Sequence, residues 1–358
     1  MQEGVANSPA MPTVGEFLPA LLAARDLTRH EAAQLVNAML NPATPDAQIA
    51  AALALLVAKG EKPEELAGFA DALYQHVLPV EIPAQVLDTA GTGASQVKTF
   101  NISTAAAFVI AAAGCAIAKH GARASTSQCG SADVLTALGV RIDCSPLVAV
   151  RCLRELGICF LFAPHYHPAL ARLAPIRRAL GFRTTFNLVG PMVNPCRAQY
   201  RLLGVADQAR MADVAEALGL IGVTRAWVLR GGDGLDEITT AHSTRILEVR
   251  EDQSIRELTL SPRDFGVAES PTDAVRAGGV EDNAAMIRAV LSGQPRDVAQ
   301  TVARDLVVLN AAAALHVRTG DALLDCADRA RRGIDEGAAL AKLEALIAIS
   351  QLSDGEAA

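Results

Sequence analysis

From about residue 85 the chain repeats one local pattern: a short apolar run, a turn of small residues, then a helical stretch. The apolar runs fall at 86–87, 116–118, 158–162, 202–205 and 226–229. Helical patterns fall at 104–113, 132–138, 147–156, 168–180 and 209–220. Few folds accommodate this order, because neighbouring parallel strands need a crossover long enough to be a helix. The expected class is α/β, with a mainly parallel sheet flanked by helices. Runs at 245–250 and 254–260 add an expected hairpin.

Ahead of this pattern the chain is helical throughout. Candidate helices at 15–24, 29–40, 45–59 and 63–76 have Thr28, Thr44, and Glu61 or Lys62 near their starts. At 358 residues the chain suits two domains rather than one. The expected division is a flexible tail at 1–12, a small all-helical domain at 13–80 and a larger α/β domain at 81–358. The last of these ends in helices at 282–291, 296–318 and 321–350. The Ala- and Leu-rich helical domain leaves room for a dimer face.

Composition excludes some functions. Aromatic residues are only 4%, which leaves little to stack single-stranded bases upon. A net charge of −7 argues against a nucleic-acid partner. The seven cysteines form no C-x-x-C pair, so reduced thiols and a cytoplasmic location are expected rather than disulfides or zinc. Residues 1–12 lack the basic start and apolar core of a secretory signal, so none is expected there. The apolar run at 105–118 is too short to cross a bilayer, so no membrane association is expected.

Two loops flanking one apolar helix carry most of the chemistry. The first is Gly91-Thr92-Gly93-Ala94-Ser95, followed by Thr99, Asn101, Ser103 and Thr104. Glycines let backbone approach a phosphate closely, and Ser103 and Thr104 can cap the helix or offer hydroxyls to a phosphate or Mg²⁺. No third glycine completes a dinucleotide fingerprint, and no Gly-Lys-Ser/Thr completes a P-loop. The second loop is Lys119-His120-Gly121-Ala122-Arg123, read as directly following a strand, then Ser125-Thr126-Ser127 and Gly130-Ser131. Its cations and hydroxyls suit a phosphate cradle. Further on, Asp236 and Glu237 are vicinal acids of the kind that bind Mg²⁺ together with substrate phosphates, or simply a solvated turn. Arg177, Arg178 and Arg183 precede a turn-rich segment with Asn187, Gly190-Pro191 and Asn194-Pro195.

Taken together these motifs resemble the anthranilate phosphoribosyltransferase family. They include Gly-Thr-Gly, Asn-Ile-Ser-Thr, Lys-His-Gly-x-Arg, Gly-Ser-Ala-Asp, Phe-Asn-x-x-Gly-Pro-x-x-Asn-Pro, Gly-Leu-Asp-Glu, and Leu-Asn-Ala-Ala-Ala at 309–313. The resemblance implies a nucleoside phosphorylase/phosphoribosyltransferase-like fold, dimerised through the helical domain. It also implies Mg²⁺-dependent transfer of a phosphoribosyl group from phosphoribosyl diphosphate (PRPP) to the amine of anthranilate, in tryptophan biosynthesis. By this matching, Gly91, Thr99, Asn101, Ser103, Thr104 and Lys119 hold PRPP, and Thr92, Gly93, Ala94, Ser95 and Ser131 are further substrate-binding positions. The loop from His120 through Ser127, with Gly121, Ala122, Arg123 and Thr126 in it, covers the diphosphate and ribose of PRPP. Ser103, Asp236 and Glu237 match Mg²⁺ positions, Lys119 and Arg123 the catalytic cations, and Arg177 the arginine facing the aromatic acid.

Two departures matter, one beside PRPP and its metal and one at the acceptor. Ala94-Ser95 stands where the family has Gly-Asp, and Ala122 where it has Asn. Thr126 replaces the usual Ser and keeps the hydroxyl. A divergent paralogue using PRPP with another aromatic or heterocyclic acceptor therefore stays open as the alternative. So do a non-catalytic binding relative and a nucleoside phosphorylase of similar fold.

Overall fold

The computed structural model describes residues 12–82, 85–93, 95, 97–124, 129–276 and 278–357. Ala94, Thr126 and Ser127, and all but the last residue of the expected tail, lie outside the described residues. The first helices are α1 (Val14–Leu22), α2 (Arg29–Leu40), α3 (Asp46–Lys59) and α4 (Pro63–His76). Their starts are chemically marked: the Thr28 hydroxyl accepts from the Glu31 amide, and Pro63 opens α4. Gly68 lets α4 lie on α2, since a Cβ there would sit 2.2 Å from the Arg29 carbonyl.

The α/β portion follows as β1 (Leu87–Gly91), α5 (Ile102–Ala112), β2 (Ile117–Gly121), α6 (Ser131–Ala137), α7 (Pro146–Leu156) and β3 (Ile158–Phe162). Next come α8 (Ala163–Tyr166), α9 (Ala174–Leu180), α10 (Phe186–Val189), β4 (Tyr200–Gly204), α11 (Met211–Leu220) and β5 (Arg225–Gly231). The hairpin is β6 (Thr244–Val249) and β7 (Ile255–Leu260), and α12 (Val280–Leu291), α13 (Val298–Thr319), α14 (Leu323–Asp335), α15 (Ala338–Ser350) and α16 (Asp354–Ala357) close the chain.

Among the described residues the strands form one seven-stranded sheet in the order β3-β2-β1-β4-β5-β6-β7. β3, β2, β1, β4 and β5 are parallel, and β6 and β7 are antiparallel. The chain first builds from β1 toward β3 and then returns to place β4 on the other side of β1. A crevice at the carboxyl ends of the strands is the consequence of that reversal.

Alternation along the strands divides the interior into two cores. Leu202, Trp227, Leu229 and Ile246 face α5, α13 and the C-terminal helices. Leu203, Ala226, Val228 and Leu247 face α11 and, beyond it, the buried residues of α2, α3 and α4. The helical domain therefore shares a core with the back of the sheet. By length and composition α13 could cross a membrane, but 67% of its most apolar window is buried in the first core. None of the seven cysteines is in a disulfide, and all are buried.

Several expected boundaries move. β1 and β2 run past their apolar residues to Gly91 and Gly121, so Lys119 and His120 lie inside β2 rather than after it. Polar residues can end these strands because the site supplies their partners. The helix expected at 168–180 is a 3₁₀ turn followed by α9, interrupted where Pro175 cannot donate to a preceding turn. The helix expected at 321–350 divides at Gly337, which takes a φ of +74°.

Candidate active site

The carboxyl ends of β1 and β2 open into a cavity of about 430 Å³ that also reaches α9, α10 and the segment after β5. At its floor lies Lys119, only 4% exposed. Its ammonium donates to the Thr89 carbonyl at 2.6 Å, the Thr89 hydroxyl at 3.3 Å and the Ser103 hydroxyl at 3.2 Å. Burial pushes the Lys119 pKa down, while Asp88 and then Glu237 pull it back up.

Helix α5 points its N-terminus at the same floor. Asn101 is its N-cap, so Ser103 and Thr104 fall inside the first turn rather than capping it. Thr104 Oγ1 has no partner among the described residues, and the Asn101 amide donates to the Cys129 carbonyl at 3.3 Å. First-turn N–H groups with adjacent hydroxyls are suited to an anion.

Across the floor stand Asp236 and Glu237. Asn310, buried in α13, fixes the segment that carries them: it accepts from the Ile238 N–H at 2.9 Å and donates to the Ile238 carbonyl at 3.0 Å. Asp233 braces it further, accepting from the Thr239 and Thr272 hydroxyls at 2.6 and 3.0 Å. Close approach needs two glycines. A Cβ on Gly91 would lie 3.1 Å from Asp236 Oδ2, and one on Gly204 only 1.8 Å from the Asp236 carbonyl. Burial and the neighbouring Asp236 push the Glu237 carboxyl up to about 8. Two acids so placed, with the Ser103 hydroxyl beside Glu237, form an all-oxygen donor set that fits a divalent cation.

The opposite wall is made by Arg177 and α10. The Arg177 guanidinium lies 5.4 Å from the centre of the Phe186 ring, and its Nη2 is 3.4 Å from Asn187 Oδ1. Its Nε has no partner among the described residues, and burial lowers its pKa. His120 lies beside His167, with ring centres 5.1 Å apart and planes tilted by 51°, and burial pushes its pKa well down.

Most of the residues singled out in the sequence thus line one cavity: Gly91, Thr92, Gly93, Asn101, Ser103 and Thr104 on the first loop side, and Lys119 to Arg123 with Ser131 on the second. Arg177, Asp236 and Glu237 complete it. Ser95 and Thr99 do not line it. Ser95 is buried with its hydroxyl donating to the Gly234 carbonyl at 3.1 Å. Arg123 lies at the rim, paired with Asp133 at 3.0 Å. Thr89, Asp88, Arg183 and His167 were not in the set read from sequence. Only Arg183 carried a signal, as part of the arginine cluster ahead of the Gly-Pro turn.

Known proteins share this architecture. Residues 83–340 match the α/β domain of a glycosyl transferase family and residues 16–77 its helical bundle domain. An anthranilate phosphoribosyltransferase of Thermomicrobium roseum is 46% identical over 342 residues, covering 94% of this chain and 97% of that protein. One of Chloroflexus aggregans is 45% identical over 94% of this chain and 98% of its own length. The Thermus thermophilus enzyme of that name superposes with a TM-score of 0.86 at 35% identity, covering 94% of this chain and 99% of that one. The Saccharomyces cerevisiae enzyme in complex with PRPP and Mg gives 0.86 at 26% identity, covering 94% and 97%. With this fold, this cavity and this degree of identity along nearly its whole length, the chain belongs to the anthranilate phosphoribosyltransferase family.

Proposed function

We propose that the protein transfers the phosphoribosyl group of PRPP to the amine of anthranilate, a magnesium-dependent step of tryptophan biosynthesis. The observation that carries this reading is the opposition, across one cavity, of Lys119 and the α5 N-terminus to the Asp236–Glu237 pair, with Arg177 on the far wall. The first two receive a diphosphate, and Arg177 pairs with an aromatic carboxylate.

In the reaction the amine nitrogen bonds to the anomeric carbon as the bond to the diphosphate oxygen breaks, with inversion. The nitrogen then loses its proton. Asp236, Glu237 and Ser103 would hold Mg²⁺, which supplies charge neutralisation for the diphosphate. Lys119 keeps a fixed positive charge beneath the leaving group, and the first-turn amides of α5 donate to it. Gly91 to Gly93 give backbone access to the phosphates, and Arg123 closes the rim. The acceptor is oriented by Arg177 against Phe186. No general base is assigned; a weakly basic aromatic amine needs none before the bond has formed.

One observation favours a second reading, in which the donor is the same and the acceptor differs: Ala122 lies exposed at the cavity and has no side-chain hydrogen bond to give. The proposal extends to a cytoplasmic homodimer. Leu22, at the end of α1, is 71% exposed and suits a pairing face on the helical domain.

The test is anthranilate consumption with PRPP and Mg²⁺, read beside diphosphate release. Turnover that Lys119→Ala abolishes supports the proposal. PRPP binding without anthranilate turnover would move the assignment to the second reading, and absence of PRPP binding would sink both.

A further inference from the structure

A residue of the helical domain reaches the acceptor side of the cleft without lining it. Helix α3 ends at Lys59, and Gly60 turns the chain with a φ of +80°. The Lys59 ammonium is held by Asp26 and Glu65, each at 2.7 Å, and donates to the Gly60 carbonyl at 3.1 Å. Glu65, fully buried, also accepts from the Leu27 and Lys62 amides at 2.9 and 2.8 Å. The backbone on both sides of Glu61 is therefore fixed.

The Glu61 carboxylate leaves its own domain. Oε1 accepts from the Thr185 hydroxyl at 2.8 Å and Oε2 from Arg210 at 2.9 Å. Glu61 is 5% exposed and Thr185 0%. A buried, charge-assisted acceptor of this kind holds its donor tightly, and losing it strands a hydroxyl away from water. Glu61 faces a second cavity, of about 590 Å³, beyond the Arg183 side chain.

Thr185 sits between groups that face the catalytic cleft. Arg183 donates to the Thr92 carbonyl in the Gly91–Gly93 turn. Asn187 accepts from the Thr184 amide at 2.9 Å and faces Arg177. We infer that Glu61 is a positioning residue: through Thr185 it sets the turn at 185–187, and so places Asn187 and Arg177 for the aromatic acid. The inference rests on reading the cleft as the transferase site.

The test compares Glu61→Met, Thr185→Val and Thr185→Ser with wild type in steady-state kinetics, varying each substrate in turn. Thr185→Val and Glu61→Met, which both remove the hydrogen bond, are expected to raise the KM for anthranilate at least fivefold and to change that for PRPP less than twofold. Thr185→Ser, which keeps the hydroxyl, is expected to restore the wild-type value. A fall in melting temperature with the ratio of the two KM values unchanged would reduce Glu61 to a domain staple and overturn the inference. Amide exchange across 183–189 is read on the same proteins and needs no turnover. It is expected to quicken in Thr185→Val and to return in Thr185→Ser. Unchanged exchange overturns the inference by itself, whereas quickened exchange in a protein that does not consume anthranilate leaves the linkage standing and rejects only the transferase reading.

Discussion

The ammonium of Lys119 lies 2.6 Å from the carbonyl oxygen of Thr89 on the adjoining strand. With the Thr89 and Ser103 hydroxyls, that contact occupies all three of its N–H donors inside the protein. Its contribution is then a fixed charge and a fixed Ser103, rather than a mobile donor. Lys119→Met keeps the length and removes the charge. It is expected to lower kcat/KM for PRPP by about 10²–10³, the range for losing one preorganised electrostatic contact. Lys119→Arg should fail as well, since a planar fork cannot meet three acceptors set for an ammonium. Steady-state diphosphate release checks both, and near wild-type activity in the arginine variant would contradict the geometry.

The carboxylate segment is placed by two small residues. Gly91→Ala puts a Cβ 3.1 Å from Asp236 Oδ2, so the carboxylate must shift by a few tenths of an ångström. The Mg²⁺ concentration for half-maximal rate is expected to rise severalfold, with melting temperature nearly unchanged. Gly204→Ala meets backbone instead of a side chain, and is expected to destabilise by about 1–3 kcal/mol, as overpacking does. Thermal melts beside Mg²⁺ titrations separate the two effects. A wild-type Mg²⁺ requirement in Gly91→Ala would show that Asp236 is not held by this approach.

Two neutral histidines make stability depend on mild acid. His120 and His167 are both held below the ordinary histidine value, chiefly by burial. The unfolded chain takes up these protons near pH 6.5 while the folded chain does not, so stability falls as pH drops below that value. The limit is about 1.4 kcal/mol per pH unit for each group. His167 Nε2 donates to the Val193 carbonyl at 3.0 Å, a bond that glutamine can replace without titrating. His167→Gln should therefore lose less stability than wild type between pH 7 and pH 5.5 in denaturant melts. Equal losses would place the acid sensitivity elsewhere.

Ala122 can be tested by restoring what the family has there. Ala122→Asn gives the exposed rim of the cavity an amide that can donate to and accept from the acceptor. Anthranilate kcat/KM is expected to rise while the KM for PRPP stays put. No change in either would remove Ala122 as an argument for an altered acceptor.

Strand, turn and helix order was legible because each strand carries an apolar run and each turn small residues. The site was legible where chemistry is concentrated in short motifs, as with Ser103 and Lys119, or Asp236 and Glu237. What local pattern could not show is who answers a polar residue. Lys119 reads as a charge at a strand end; only the fold brings Thr89 to it, 30 positions earlier. Asn310 looks like one polar residue in an apolar helix until it meets Ile238, 72 positions away. Ser95 matches a substrate-binding position by motif, and only the fold brings its hydroxyl to the Gly234 carbonyl, 139 positions later. Helix breaks at Pro175 and Gly337 were visible as residues, but periodicity continues across both.

The core that runs from α2 and α4 through α11 to the underside of β4, β5 and β6 has a consequence for dissecting the chain. A fragment beginning near residue 81 would present Leu203, Val228 and Leu247 behind a single remaining helix layer, with the partners of α11 gone. Arg29, which donates to the Leu220 carbonyl at 2.9 Å, and Tyr74, which donates to the Met192 carbonyl at 3.0 Å, would leave those acceptors unanswered. What sequence order separates into two pieces shares one buried core, so engineering of the catalytic half should carry the N-terminal helices with it.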